Sequence, residues 1–176
     1  MDKDFAEKIR RRRIKKIAGF LVLIAVCVIV AVSVLKPGSP KSGRAAKATI
    51  EIRCDQLSEH PEALNDQGLA DQIPEDGTIL AKTETDIESG VTSVFDILDR
   101  VCRENNIQIE YSYAAGYDSH YIEGINYLYE FSAGRYSGWV FTVNGKSANY
   151  GADKIILSGG EEVVWNYTVD YREEES

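Results

Sequence analysis

Two histidines and three cysteines are all the chain offers for nucleophilic or soft-metal chemistry. A Ser/His or Cys/His pair needs a base within hydrogen-bond reach and often a third group to orient it. His60 lies in Glu59-His60-Pro61 and His120 in Asp118-Ser119-His120, polar contexts that both read as solvated loops. Asp118 and His120 could share a metal, but no third ligand accompanies them, so no metal site is expected. Gly134 and Gly138 fall in a hairpin connection rather than between a strand and a helix, which rules out a phosphate loop there. The carboxylates are scattered over loops and tail, and no pair stands out as an acid/base couple. The expectation is a non-enzymatic protein without a cofactor.

Cys54 and Cys102 raise a different possibility. Cys54 ends an expected strand, and Cys102 lies on the apolar stripe of an expected helix that should pack across it. A bridge would close a loop of about 49 residues, which chain entropy values at roughly 4 kcal/mol. The alternative is a pair of small buried side chains with free thiols, and register to an ångström or two decides between them.

Aromatic residues are the other chemical resource. All ten tyrosines fall between Tyr111 and Tyr171, and both tryptophans lie in the same stretch. Loops rich in them could stack on a flat ligand or a sugar. Trp139, Phe141, Trp165 and Tyr167 alternate as core residues should. Tyr117, Tyr136 and Tyr150 sit in loops and are better placed as surface contacts. Asn166-Tyr167-Thr168 matches a glycosylation acceptor but falls in mid-strand.

The elements that must position these residues are mixed. Ala48–Cys54 alternates Ile50 and Ile52 against Glu51 and Arg53, a half-buried strand. Residues 55–76 read as a long loop or irregular helix, and a strand follows over Thr78–Ile87. Thr92 or Ser93 can cap a helix from Val94 to Glu104, with Phe95, Leu98, Val101 and Cys102 on one stripe. Asn105-Asn106 stops it. Strands are then expected at Ile107–Tyr113, Ile125–Phe131, Trp139–Val143, Lys154–Leu157 and Val163–Val169, with Asn144-Gly145 as a hairpin turn. This order gives an α+β, grasp-like domain in which one main helix packs on a mixed, mostly antiparallel β-sheet.

Ahead of the domain, Ile17–Leu35 is a run of 19 apolar or small residues without a charge. At about 1.5 Å per residue it reaches roughly 28 Å, the span of a bilayer core. Arg10, Arg11, Arg12, Arg13, Lys15 and Lys16 precede it and should stay cytoplasmic. A cleavable signal peptide would have a shorter apolar core and a better cut site than Ala31 with Ser33, or Ala46 with Ala48. Cys27 has Val26 before it, where a lipoprotein box wants a small residue, so Cys27 reads as an apolar position in a membrane helix. The expected organisation is a cytoplasmic basic segment (1–16), a single-pass signal-anchor (17–35), a flexible linker (36–47), an extracytoplasmic domain (48–171) and an acidic tail (172–176). Residues 1–35 carry eight Lys/Arg against three Asp/Glu, and residues 36–176 carry 12 against 25. A balance of −13 outside the membrane argues against nucleic acid as a partner.

Ser137-Gly138-Trp139-Val140-Phe141-Thr142-Val143-Asn144-Gly145 resembles the SGWxYxVNG signature of the transcobalamin-like C-terminal domain, grouped in bacteria as domain of unknown function 4430. Asn149-Tyr150-Gly151 and the run from Ser158 to Thr168 resemble the family's ending. Tyr121–Phe131 and the Val94–Glu104 helix also match, so the resemblance covers about residues 48–171. It departs at Ala133 and Ala152, where many relatives carry cysteines that look disulfide-bonded. It departs again at Gly159-Gly160-Glu161, which replaces a DGD turn, and at Lys146, where an aromatic is common. The resemblance implies a grasp-type fold in a secreted or anchored protein. It also implies a cobalamin-type ligand, because in animal vitamin B12 carriers a related domain closes over one side of the cobalamin. The ligand-facing candidates are Tyr117, Tyr136, Ser137, Gly138, Trp139, Asn149, Tyr150 and Gly151. Two readings follow: a membrane-anchored binding module accessory to uptake, or a structural or protein-interaction domain of the envelope that uses an exposed sheet edge.

Overall fold

The computed structural model describes residues 43–172. The basic segment, the expected spanning helix and the linker up to residue 42 lie outside the described residues, as does the tail from 173. Among the described residues, no helix is long and apolar enough to cross a membrane.

Strand β1 (Arg44–Arg53) is the centre of the architecture. Ala48, Ile50 and Ile52 are at most 1% exposed, while Thr49, Glu51 and Arg53 between them stay half-open. This period of two is the one the sequence carries. β1 pairs antiparallel with β2 (Thr78–Ser89) and parallel with β8 (Glu162–Thr168), the last strand described. β8 pairs antiparallel with β6 (Gly138–Val143), and a two-residue β7 (Lys146–Ser147) completes the order β2-β1-β8-β6-β7. β3 (Ile109–Ala114), β4 (Ser119–Ile125) and β5 (Leu128–Tyr129) form a separate antiparallel sheet.

A short helix α1 (Asp55–Glu59) follows β1, and the main helix α2 (Val94–Glu104) follows β2. Ser93 caps α2. Its Oγ accepts from the Asp96 amide at 3.1 Å, and the Asp96 carboxylate accepts from the Ser93 amide at 2.8 Å, a reciprocal pair. Thr92, the other capping candidate, instead accepts from the Glu88 amide at 2.9 Å. Val94, Phe95, Ile97, Leu98, Val101 and Cys102 are buried, which adds Val94 and Ile97 to the expected stripe. Asn106 stops the helix in the left-handed region at φ 56°, with the Ile107 amide donating back to the Cys102 carbonyl. α2 shares its core with Ile50, Ile52, Val163 and Trp165 from the large sheet and with Ile122 and Ile125 from the small one.

Two expected elements differ, Lys154–Leu157 and Ile125–Phe131, while residues 55–76 are irregular helix as expected. Residues 55–76 hold α1 and two 3-10 turns, Pro61–Ala63 and Gln67–Gln72. Leu57 and Leu64 from this stretch are buried in a second cluster with Cys54, Leu128 and Tyr167. Lys154–Leu157 is not a strand, because both sides of β8 are already taken by β1 and β6. It passes instead beside the start of α2, with one bridge from Ser93 to Ile156. Ile125–Phe131 is broken by the turn Asn126-Tyr127, where both residues have positive φ, 52° and 62°.

The Asn126-Tyr127 turn has a natural control in the same chain. Asn144-Gly145 makes the corresponding two-residue turn between β6 and β7 with φ of 53° and 73°, using glycine where β-carbon crowding is worst. Tyr127 is 55% exposed, so little packing compensates its backbone. Tyr127→Gly is expected to stabilise the domain by up to about 1 kcal/mol, a rise of roughly 4 °C in thermal midpoint. A lower midpoint would mean that the tyrosine makes a contact worth more than its strain.

The bridge considered for Cys54 and Cys102 is not formed. Both are free and 0% exposed, and they lie in the two different core clusters. Burial pushes both thiols up to about 12, so neither is nucleophilic near neutrality. Neither should be alkylated in the folded protein, and both should react on denaturation without reductant.

Candidate functional site

The structure separates the eight ligand-facing candidates into two groups. Ser137 and Gly138 are buried. The Ser137 hydroxyl lies 2.9 Å from the Tyr167 hydroxyl and from the Gly134 carbonyl, and it accepts from the Ala133 amide at 3.0 Å. Trp139 donates to the Leu128 carbonyl at 2.9 Å and packs edge-on against Tyr167. Tyr136 has guanidinium groups over its ring, Arg172 at 3.6 Å and Arg135 at 4.4 Å, and Tyr171 stands edge-on at 5.8 Å. These four residues are engaged within the domain. Arg172, read from sequence as the start of the acidic tail, is part of that engagement and also pairs with Asp170.

Tyr117, Asn149, Tyr150 and Gly151 belong to a different arrangement. Tyr117 is 85% exposed in the loop between β3 and β4, and Tyr150 is 73% exposed just before a 3-10 turn, Ala152–Lys154. Asn149 is exposed as well. The two loops are joined by side chains that sequence reasoning did not bring together. Asp153 accepts from the Ser119 hydroxyl and from the His120 amide, each at 2.6 Å, and its other oxygen meets His120 Nδ1 at 2.8 Å. Lys154 pairs with Asp118 at 2.6 Å, and Tyr113 donates to the same carboxylate. Gly151 lies so close to Ser119 that a Cβ there would sit 2.0 Å from its Oγ.

His120 is therefore a strand residue on β4, not the solvated loop residue its neighbours suggest. Its ring stacks on Phe95 at 4.2 Å and 5°, with Tyr111 and Tyr113 edge-on at 5.2 and 5.7 Å. β4 was missed because Ser119–Ile125 has glycine and polar residues where a strong alternation would be read. Its burial pattern comes from cross-strand partners, Tyr113 opposite His120 and Tyr111 opposite Ile122.

Ser119, His120 and Asp153 are the residue types of a catalytic triad in a different order. The carboxylate lies between the hydroxyl and the imidazole, so the proton of Ser119 goes to Asp153 rather than to a histidine base. The arrangement braces two loops. Burial alone would raise the Asp153 pKa, but hydrogen bonds from Ser119 and His120 outweigh it and hold the carboxyl below its usual range. Among the described residues, no group of three or more His, Cys, Asp or Glu could hold a metal. A shallow groove of about 610 Å³ beside the start of β1 is lined partly by Ala46, Ile87, Glu88 and Arg100. Arg100 is already spent there on the Thr85 hydroxyl at 2.7 Å and the Asp86 carbonyl.

Comparison with known proteins bears on this arrangement. Residues 92–169 match the model of the family described as Domain of unknown function (DUF4430). Over those residues, the chain is similar to that family. The DUF4430 match takes in α2, the whole small sheet, β6 to β8 and both braced loops, and it leaves β1 and β2 outside. Among solved structures, haptocorrin in complex with Cbi is similar over 71% of this chain, with a TM-score of 0.50 and 12% identity. The chain spans 25% of the haptocorrin chain, and the likeness is one of fold. A protein from Ruminococcus gnavus ATCC 29149, described as a candidate metal-binding protein, aligns over 70% of this chain and 96% of its own. Its TM-score is 0.41 with 14% identity. No curated protein matches.

Proposed function

We propose that this protein is a non-catalytic binding module, held at the outer face of the cell membrane by residues 17–35, whose ligand is a cobalamin-type corrinoid or another flat small molecule. The observation that carries the reading is the pair Tyr117 and Tyr150. They are the two most exposed large hydrophobic side chains described, and they stand on loops locked together by Asp153 and Lys154. Aromatic faces held ready on a braced frame lose little freedom when a flat ligand stacks on them. The shared fold with haptocorrin is in keeping with that role.

The alternative is an envelope domain that recruits a protein through its sheet edge. The long free edge of the large sheet is β2, whose pairing with β1 is interrupted twice by register shifts and which presents Lys82, Glu84, Asp86 and Glu88. Bulges and charges of both signs are what keep an edge from pairing with another strand. That favours the small-ligand reading.

Equilibrium dialysis of the full chain in lipid nanodiscs against cobalamin and cobinamide tests it. Saturable uptake that weakens at least tenfold, about 1.4 kcal/mol, in Tyr117→Ala/Tyr150→Ala supports the proposal. Both side chains are exposed, so the thermal midpoint of that variant should stay near wild type. Absence of saturable uptake of either corrinoid by a folded chain moves the reading to a protein partner.

A further inference from the structure

Among the described residues, Val91 and Ile156 are the two large aliphatic side chains left open, at 39% and 44% exposed, and the other exposed large apolar side chains are aromatic. Unlike a tyrosine, neither has a polar end to offer water. They sit beside one another in the fold. The Gly90 amide donates to the Leu157 carbonyl at 2.8 Å, the Leu157 amide to the Thr92 carbonyl at 2.9 Å, and Ser93 bridges Ile156.

The same place is where the chain enters the domain. Arg44 pairs with Ser89, and a Cβ on Gly43 would lie 2.6 Å from the Ser89 carbonyl oxygen. The Gly160 amide donates to the Lys47 carbonyl at 2.7 Å, which ties the 156–160 segment to the first residues of β1. Only residues 36–43 separate Leu35 from Arg44. Eight residues reach at most about 28 Å when fully extended. β1 alone, with 10 residues, runs for roughly 33 Å. A tether shorter than the strand it feeds keeps the entry end of the domain near whatever holds residue 35.

We infer that this end of the domain, with Val91 and Ile156 foremost, rests on the lipid surface. The inference depends on the reading of 17–35 as a membrane anchor and goes beyond it by orienting the domain. Two side chains make a weak contact by themselves, and the ectodomain's negative charge opposes anionic head groups. The short tether makes the encounter intramolecular, so an affinity too small to recruit a free protein suffices to hold a tethered one. Lipid acyl chains also explain why the exposed residues here are aliphatic and the ones on the braced loops are tyrosines.

The test uses the full chain with Cys27→Ser, reconstituted in vesicles of phosphatidylcholine and phosphatidylglycerol. Val91→Cys, Ile156→Cys and Glu75→Cys are each labelled with an environment-sensitive fluorophore. Cys54 and Cys102 stay unlabelled because they are 0% exposed. Glu75 is exposed in the turn before β2, at the end of the sheet where Arg53 pairs with Thr78. With lipids carrying a quencher near the head group, the labels at 91 and 156 should lose most of their emission, and the label at 75 should keep its own. Equal quenching at the three positions, or none at 91 and 156 in chains that float with the vesicles, overturns the orientation. Chains that fail to float with the vesicles overturn the anchor reading itself, and the orientation falls with it.

Discussion

Asp153→Ala is expected to destabilise the domain by about 3 kcal/mol and to release the loops that carry Tyr117 and Tyr150. One carboxylate, 23% exposed, accepts from a buried serine hydroxyl, a backbone amide and an imidazole nitrogen. Hydrogen bonds to a charged group are worth roughly 1.5–3 kcal/mol each, and three on one side chain do not add fully. Ser119 is 4% exposed, so its hydroxyl finds little water once the acceptor is gone. The carboxyl also sets an acid limb. Its folded pKa lies below the unfolded value near 3.9, so its stabilisation is complete above about pH 4 and fades as pH falls through the folded value. Urea unfolding at about pH 7 and about pH 3 reads both effects. Asp153→Asn should lose part of the neutral stability and respond less to acid than wild type. Unfolding of the alanine variant within about 0.5 kcal/mol of wild type at neutral pH would show that the brace carries no energy.

Gly151→Ala is expected to cost about 2–3 kcal/mol by contact alone. Gly151 has φ −58°, an angle that suits alanine, so backbone strain plays no part. The added Cβ would lie 2.0 Å from Ser119 Oγ and 2.5 Å from its Cβ. The hydroxyl could swing aside only by leaving Asp153, and the Cβ cannot move without the strand. Ser119→Gly removes both atoms, so the double variant should recover much of the loss that Gly151→Ala causes in the wild-type background. Simple addition of the two single effects would refute the collision, because neighbours that clash must couple.

Both predictions concern a contact that spans more than thirty residues, and this marks where the sequence stopped being legible. Local signals were readable. The Ser93 cap with the Val94–Glu104 stripe, the Ile50 and Ile52 alternation of β1 and the Asn144-Gly145 turn all appear where the pattern puts them. Each depends on residues within a few positions of one another. Ile155-Ile156-Leu157 carries the same apolar signal as a strand, and what denies it that role is occupancy: β8 already has a neighbour on each side. At the candidate site, the loop positions of Tyr117 and Tyr150 were visible from composition. Tyr136 looked equally open, and its ring is covered by Arg135 beside it and by the return of Tyr171 and Arg172 from the far end of the domain. The family resemblance pointed to the Ser137–Trp139 segment, and there the residues serve the core through Tyr167 and Leu128.

The parallel partnership of β1 with β8 sets a rule for biosynthesis. Arg53 faces Asn166, so the middle of the large sheet joins segments more than a hundred residues apart. A nascent chain has β1 and β2 made long before the strand that completes them. The hairpin must wait with one edge of its central strand unpaired. The domain therefore closes in a single late event, and it is most exposed to proteases and aggregation in the interval between the synthesis of β2 and that of β8.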